Sequence, residues 1–310
     1  MKRHYKVLSI ITFAVAALGL CLGLGISGSG IGYTTIMASN QALFPMPTAS
    51  GTSVRVSGNA ELDYSNVHDG YVMARFTRQT SNTIMILITG PNGVRYQYVL
   101  NSESRWEVFP ITGGDGSYAI VIAERVDGNR FAPAINVTIE VELADEFAPF
   151  LRPSQFVNFN RNSRAVAKAA ELVRGSTSVV ESVSRVYNFV IENIDYDFEL
   201  AATVLPGFVP NIDQTLERGK GICFCYAALM TAMLRSQGIP TRLVIGYVGT
   251  VNHAWISVHS PEHGWINNII HFDGVNWQLM DPTFAATSNQ SQAFLDLVGD
   301  GTSHNPVRIH

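Results

Sequence analysis

The chain has 310 residues, of which 46% are hydrophobic, and a formal net charge of −4 at pH 7. A chain of this length and composition can bury the cores of two folded domains. A slightly acidic protein without a run of basic residues has no electrostatic footprint for nucleic acid, so we expect no nucleic-acid partner.

The amino-terminal segment differs from the rest of the chain. Basic residues at positions 2, 3 and 6 precede an apolar run from Val7 to Ile26. This pattern is typical of an export signal, and about 20 apolar residues can also span a bilayer. Residues 1–30 are therefore predicted to be a cleaved signal peptide or a membrane anchor through residues 7–26. Either alternative predicts an extracytoplasmic protein, secreted or held at the outer face of the cytoplasmic membrane.

A linker follows, and the cysteine content is low. The segment from Ser27 to Ser53 is rich in glycine, serine, threonine and alanine, which is typical of a spacer, and residues 31–52 are predicted to be a linker. After the export segment the chain contains only Cys223 and Cys225. Two cysteines this close together exclude a disulfide framework.

Residues 53–145 have the pattern of an antiparallel β-sandwich. Runs rich in valine, isoleucine and tyrosine are separated by turn sequences such as Pro91-Asn92-Gly93. The predicted strands are residues 53–57, 71–76, 83–89, 94–100, 118–123 and 135–143. No residues in this half have catalytic spacing, so we predict an accessory domain in which Trp106 serves packing.

A proline-bearing connector at residues 146–160 leads into a second domain, residues 161–310, with a different periodicity. Valines at helical spacing predict an amphipathic helix over residues 177–194. Residues 207–220 are predicted to be a loop, followed by a helix over 223–237. Strands are then predicted at 241–247, 253–259, 265–272 and 276–281. Helices followed by antiparallel strands indicate an α+β domain.

Cys223 and Cys225 lie where the second helix is predicted to begin. A thiol in the first helical turn faces free N–H groups and the positive end of the helix dipole, which favours the thiolate. Residues two apart on a helix point about 200° apart, so the two thiols cannot serve one site equally. The same divergence argues against a disulfide between them. Cys223 is therefore the candidate nucleophile.

His253 and Asp281 could complete a nucleophilic site. A thiolate needs a base that takes its proton and a third group that orients the base. His253 opens one predicted strand, and Asp281 ends the last of them. Each of the three residues also has a structural explanation: Cys223 as a small core residue, His253 as a half-buried histidine and Asp281 as a turn carboxylate.

A zinc site is the alternative use of the same residues. Its ligands would be Cys223, Cys225 and either His253 or His259. Structural zinc sites favour C-x(2–4)-C spacing and four ligands, whereas these cysteines are separated by one residue and point apart. No metal and no cofactor is therefore predicted.

Several spaced motifs carry a family resemblance. The segments are Gly221–Ala227, Leu234–Arg242, Gly246-Tyr247, His253–Trp255 and Trp277–Thr283. Together they look like the transglutaminase-like superfamily, whose core is similar to papain-type cysteine proteases. The resemblance covers about residues 160–287. It implies a transglutaminase-like domain preceded by the β-sandwich, which itself resembles the accessory domains of such exported bacterial proteins.

The resemblance also implies residue roles. Cys223 would attack an amide carbonyl to form a thioester, His253 would act as base and then acid, and Asp281 would orient the imidazole. Tyr196 resembles a position that could support the oxyanion together with the Cys223 N–H, and it could equally be a packing tyrosine at a helix end. Family members often carry an acidic residue two places after the nucleophile, where this chain has Cys225.

Two functions follow as expectations. The first is an exported cysteine acyltransferase or hydrolase that acts on a protein or cell-wall peptide. With water as acceptor it is a peptidase or amidase, and with a lysine amine it is a cross-linker. The second is a noncatalytic cell-envelope binding protein that keeps the fold, motivated by Cys225 and the accessory domain.

Overall fold

The computed structural model describes residues 44–267, 271–272, 277–278 and 304–310. Its first half consists of eight strands: β1 (Val54–Ser57), β2 (Ala60–Asp63), β3 (Tyr71–Phe76), β4 (Ile84–Thr89), β5 (Arg95–Leu100), β6 (Glu107–Pro110), β7 (Gly116–Asp127) and β8 (Arg130–Val141). They form two antiparallel four-stranded sheets, ordered β1-β2-β3-β6 and β5-β4-β7-β8. β5 and β6 are each an edge strand of their sheet.

The two sheets enclose one hydrophobic core. Side chains alternate along β5, so that Tyr96, Tyr98 and Leu100 point inward while the residues between them are exposed. Leu62 from one sheet and Ile86 from the other belong to the same buried cluster. The predicted β-sandwich class of this half is confirmed. β2 and β6 were not predicted, because each has only four residues and includes a glutamate.

The described residues of the second half form five helices and eight strands. The helices are α1 (Arg164–Leu172), α2 (Val179–Asn193), α3 (Phe198–Thr203), α4 (Ile212–Arg218) and α5 (Cys223–Arg235). The strands are β9 (Asp195–Tyr196), β10 (Lys220–Gly221), β11 (Thr241–Val248), β12 (Val251–Ser260), β13 (Gly264–Ile266), β14 (His271–Phe272), β15 (Trp277–Gln278) and β16 (His304–Ile309).

Helix α5 is the centre of this half. All of its residues from Cys225 to Arg235 are buried, as expected for a helix that is apolar on every side. It packs against β11 and β12 of an antiparallel sheet ordered β13-β12-β11-β16, and α1, α2 and α4 surround it. The predicted α+β class of the second half is confirmed.

Several segment predictions need correction or lie outside the described residues. The predicted loop 207–220 is wrong over α4 and β10. Asn211 caps α4 by accepting a hydrogen bond from the Gln214 N–H at 3.0 Å, and Gly219 ends the helix with a left-handed φ of 59°. The predicted strand 265–272 is divided into β13 and β14, with residues 268–270 outside the description. β15 accounts for two residues of the predicted strand 276–281.

The predicted export segment and most of the predicted linker, residues 1–43, also lie outside the described residues. No helix in the described parts of the chain combines the length and apolar character needed to cross a bilayer.

Two buried polar side chains connect distant segments. Arg235, at the end of α5, donates hydrogen bonds of 2.8 Å to the main-chain oxygens of Arg152, Thr241 and His310. Burial lowers the pKa of Arg235 to about 9, which still leaves the guanidinium charged at neutral pH. His310 joins the two halves, because its Nδ1 lies 2.9 Å from the hydroxyl of Tyr98 on β5.

Candidate functional site

Cys223 is the first residue of α5 and is half-buried. The preceding residue, Ile222, is extended, and its carbonyl accepts hydrogen bonds from the N–H groups of Cys225 and Tyr226 at 2.8 and 3.1 Å. Helical geometry leaves the N–H groups of Cys223 and Phe224 without a partner inside the helix. The thiol therefore lies beside two main-chain donors at the positive end of a 13-residue helix.

Cys225 has a different environment. Its side chain is only 3% exposed and packs against Gly221, where an added Cβ would lie 2.5 Å from the Cβ of Cys225. Burial raises the pKa of the Cys225 thiol, partly offset by hydrogen bonds with the backbone of Ile222 and the side chain of Thr215. Cys225 is thus a packed, protonated thiol, and Gly221 is a glycine because Cys225 occupies the space beside it.

Tyr196 lies next to the strand that leads into Cys223. In the parallel pair of β9 and β10, Tyr196 is in register with Gly221. The Asp197 N–H donates to the Gly221 carbonyl at 3.0 Å, which fixes this register. The half-buried Tyr196 ring also makes an edge contact with Phe198, with centroids 4.9 Å apart. Tyr196 therefore packs against Phe198 and lies beside β10, the strand that leads into Cys223.

His253 lies on β12, the strand that packs against α5, and is 5% exposed. Its ring stacks on Trp255, two residues further along the same face, with centroids 6.2 Å apart and an interplanar angle of 19°. Opposite His253 on β11 is Gly246, where an added Cβ would lie 2.8 Å from Cη2 of Trp255. Gly246 thus leaves room for the main-chain oxygen of Asn305 on β16, which an added Cβ would meet first, and for the indole that stacks on the imidazole.

Asp281, the predicted orienting carboxylate, lies outside the described residues. The structure brings Tyr196 beside the entry to α5 and places His253 on the strand against that helix. Among the described side chains, no group of three or more histidine, cysteine or acidic residues is arranged to hold a metal ion.

Sequence reasoning missed the positioning glycines of this site. Gly221 and Gly246 each occupy a place where a side chain would collide with a neighbour of the candidate catalytic residues. A glycine within a strand pattern often marks such a close approach, and this signal was available at Gly246.

The sequence matches a known family over part of its length. Residues 166–269 match the family model of the transglutaminase-like superfamily. A protein-glutamine gamma-glutamyltransferase from Pseudomonas aeruginosa is 29% identical over 157 residues, covering 45% of this chain and 21% of that protein. The uncharacterized protein YebA of Bacillus subtilis is 28% identical over 118 residues, covering 32% of this chain and 16% of that protein. The match thus spans about a fifth or less of these curated relatives.

This chain also shows partial similarity to solved structures. A proposed cysteine protease from Cytophaga hutchinsonii has a TM-score of 0.39 and 14% identity, covering 77% of this chain and 76% of that chain. Red sea bream transglutaminase has a TM-score of 0.27 and 14% identity, covering 69% of this chain and 48% of that chain.

Proposed function

We propose that this chain, which carries a domain of the transglutaminase-like superfamily at residues 166–269, is an exported cysteine acyltransferase. The enzyme attacks the side-chain amide of glutamine in a polypeptide. The observation that carries this proposal is the half-buried thiol of Cys223 at the first turn of α5, against which the His253 strand packs. The Pseudomonas aeruginosa relative is named a protein-glutamine gamma-glutamyltransferase, which supports glutamine as the donor residue.

The proposed reaction uses the thiol and the imidazole in two half-reactions. His253 takes the proton of Cys223, and the sulfur forms a bond to the carboxamide carbon. The C–N bond breaks, and ammonia leaves with the proton returned by His253, so that a thioester remains on Cys223. A lysine amine or water then gives its proton to His253 and attacks the thioester carbon. The C–S bond breaks, and the thiol is restored.

The negative charge on the carbonyl oxygen needs donors during each attack. The N–H groups at the start of α5 are the proposed main-chain donors, because the helix leaves them without internal partners. Tyr196 is proposed as a side-chain donor on the basis of its register beside Gly221. Asp281 is proposed to accept the second N–H of His253 and fix its tautomer.

Transfer to an amine is the preferred outcome, and hydrolysis to a peptidase or amidase product is the competing outcome. The difference depends on whether water reaches the thioester. A noncatalytic envelope binding protein is the second candidate, because the buried Cys225 occupies the position where family members often carry an acidic residue.

The test is amine incorporation by the full-length protein, purified in mild detergent. Dimethylated casein serves as glutamine donor and dansylcadaverine as amine, and ammonia release is followed in parallel. We expect label on casein and loss of both signals in Cys223→Ala, whereas the matched variant Cys225→Ala keeps them. Ammonia without label would identify the hydrolase. Neither product, with unchanged folding, would favour the binding protein.

The location is a separate proposal that rests on the basic and apolar residues 2–26. A fusion of residues 1–52 to alkaline phosphatase, which is active only outside the cytoplasm, tests it. An active fusion is expected, and an inactive but stable fusion would contradict export.

A further inference from the structure

The arm between β9 and α4, residues 198–211, is an exposed and apolar part of the fold. It consists of α3 and the loop that follows, and Glu199 is the one charged residue in its sequence. Leu205 is 77% exposed and Phe198 is 56% exposed, and Val209 is also exposed. Single exposed apolar residues are ordinary, whereas a group of them on one segment marks a contact with a protein or a membrane.

The arm is fixed to the rest of the protein near both of its ends. Asp197 caps α3 by accepting the Leu200 N–H at 2.9 Å. Near the other end, the ring of Phe208 contacts that of Phe224, with centroids 6.4 Å apart. The exposed side chains are therefore presented by an ordered segment.

The surface of the arm offers few hydrogen-bonding side chains. The Thr203 hydroxyl donates to the Glu199 carbonyl at 2.8 Å, and Asn211 accepts the Gln214 N–H as the cap of α4. Apart from Glu199, the other side chains are alanine, valine, leucine, phenylalanine and proline, with one glycine. Protein partners are usually bound through hydrogen bonds as well as apolar contacts, whereas the acyl boundary of a membrane needs only apolar surface. The composition of the arm therefore favours lipid.

The described chain begins close to this arm. Phe44 is buried, and its ring lies 4.8 Å from that of Phe159. The residue before Phe159, Asn158, lines a cleft together with Val209 of the arm. The segment that comes from residues 1–43 therefore enters the fold beside the arm.

The sequence before Phe44 brings lipid within reach of the arm. The apolar run Val7–Ile26 is predicted to be a membrane anchor if it is not removed as a signal peptide. The 17 residues from 27 to 43 can span at most about 60 Å. A tether of this length keeps the bilayer surface at a high effective concentration, so a contact through a few apolar side chains is sufficient.

We propose that the arm inserts Phe198, Leu205 and Val209 into the outer surface of the membrane to which the chain is anchored. These side chains enter the boundary between the headgroups and the acyl chains. The only charge of the arm is acidic, so it favours lipids with neutral headgroups over anionic ones. The proposal goes beyond the proposed function: it rests on the proposed location and not on turnover.

Contact with lipid determines where the candidate site lies. Phe198 packs against Tyr196, with ring centroids 4.9 Å apart, and Phe208 contacts Phe224, the residue after Cys223. Insertion of the arm therefore places the first turn of α5 close to the bilayer surface. Polypeptide segments next to the membrane are the substrates that reach it there.

Quenching by lipid tests the contact at a single position. Full-length Leu205→Trp and the wild type are reconstituted into phosphatidylcholine vesicles with or without brominated acyl chains, which quench indoles that they touch. The emission of the added tryptophan, taken as the difference from the wild type, should be lost in the brominated vesicles. In unbrominated vesicles it should shift to a shorter wavelength than in detergent-free urea, where the chain is unfolded.

Val56→Trp is the matched control. Val56 is 59% exposed on β1, which lies at the opposite edge of its sheet from β6, and residues of β6 line the cleft beside Val209. The emission added by Val56→Trp should persist in brominated vesicles. Urea unfolding should give wild-type stability for both variants, because both side chains are exposed.

The outcomes separate the arm from the other proposals. Quenching in Leu205→Trp but not in Val56→Trp supports the contact even if the protein incorporates no amine. Equal quenching in both variants, or none in Leu205→Trp, would overturn it even if turnover is seen. A shift of the Leu205→Trp emission on addition of dimethylated casein, without quenching by lipid, would identify a polypeptide-binding surface instead. The alkaline phosphatase fusion tests the location separately.

Discussion

Replacement of His310 by phenylalanine should change how the stability of the protein depends on pH. The His310 side chain is buried among aromatic rings and makes edge contacts with Tyr96, Tyr98 and Phe156. Burial, together with the nearby positive charges of Arg308 and Arg235, lowers the pKa of His310 to about 3 from its ordinary value of 6.5. The folded protein therefore keeps this imidazole neutral in mild acid.

The direction and the size of this pH dependence follow from proton linkage. Below about pH 6.5 the unfolded chain binds a proton at His310 that the folded protein does not, so stability falls as pH decreases. The slope approaches about 1.4 kcal/mol per pH unit, and the contribution between about pH 6.5 and 4.5 is about 2 kcal/mol. It continues to grow until the pH reaches the folded-state pKa of about 3. Phenylalanine fills the same space and binds no proton.

Urea unfolding of the full-length protein at pH 6.5 and 4.5 measures this effect. When the pH is lowered from 6.5 to 4.5, the free energy of unfolding should decrease by about 2 kcal/mol less in His310→Phe than in the wild type. Tyr98→Phe is the control, since it removes the hydroxyl beside Nδ1 but keeps the imidazole. It should cost about 1 kcal/mol at both pH values and retain the wild-type dependence. An identical pH dependence in His310→Phe and the wild type would refute the reasoning.

Three further predictions concern the candidate site. Iodoacetamide at pH 7.5 should label the half-buried Cys223 well before the buried Cys225, because the raised pKa of Cys225 keeps its thiol protonated. Mass spectrometry measures the labelling rate of each cysteine, and equal rates would contradict the prediction. Gly221→Ala should lower the free energy of unfolding by about 1–3 kcal/mol, because the new methyl would lie 2.5 Å from the Cβ of Cys225; unchanged urea stability would argue against this packing. Gly246→Ala should press its new methyl against the main-chain oxygen of Asn305 on β16 and against the indole of Trp255, and so alter tryptophan fluorescence and amine incorporation together. An unchanged spectrum would count against this packing beside His253.

Much of the fold could be predicted from periodicity, and the exceptions have physical causes. The strands of the sandwich alternate clearly, and α5 is followed by Gly238 and Pro240, so both were predicted. α1 was missed because two of its three buried residues, Ala165 and Ala169, are small and give a weak hydrophobic signal. α4 was missed because seven residues are too few for a periodic pattern.

Cys223, His253 and Asp281 all stay predictions as catalytic residues. They come from the spacing of motifs, and the structure adds that Cys223 begins α5 and that His253 lies on the strand packed against that helix.

The buried Arg235 has a consequence for how the protein is made. Its three main-chain acceptors lie in the connector, at the start of β11 and at residue 310. Synthesis proceeds from the amino end, so this guanidinium is made well before its last partner. The core of the sandwich, from Ala60 to Val141, can close early, whereas the domain with the candidate nucleophile cannot reach its final form until β16 has emerged. The protein therefore gains its candidate chemistry only after β16 and residue 310 have been synthesised.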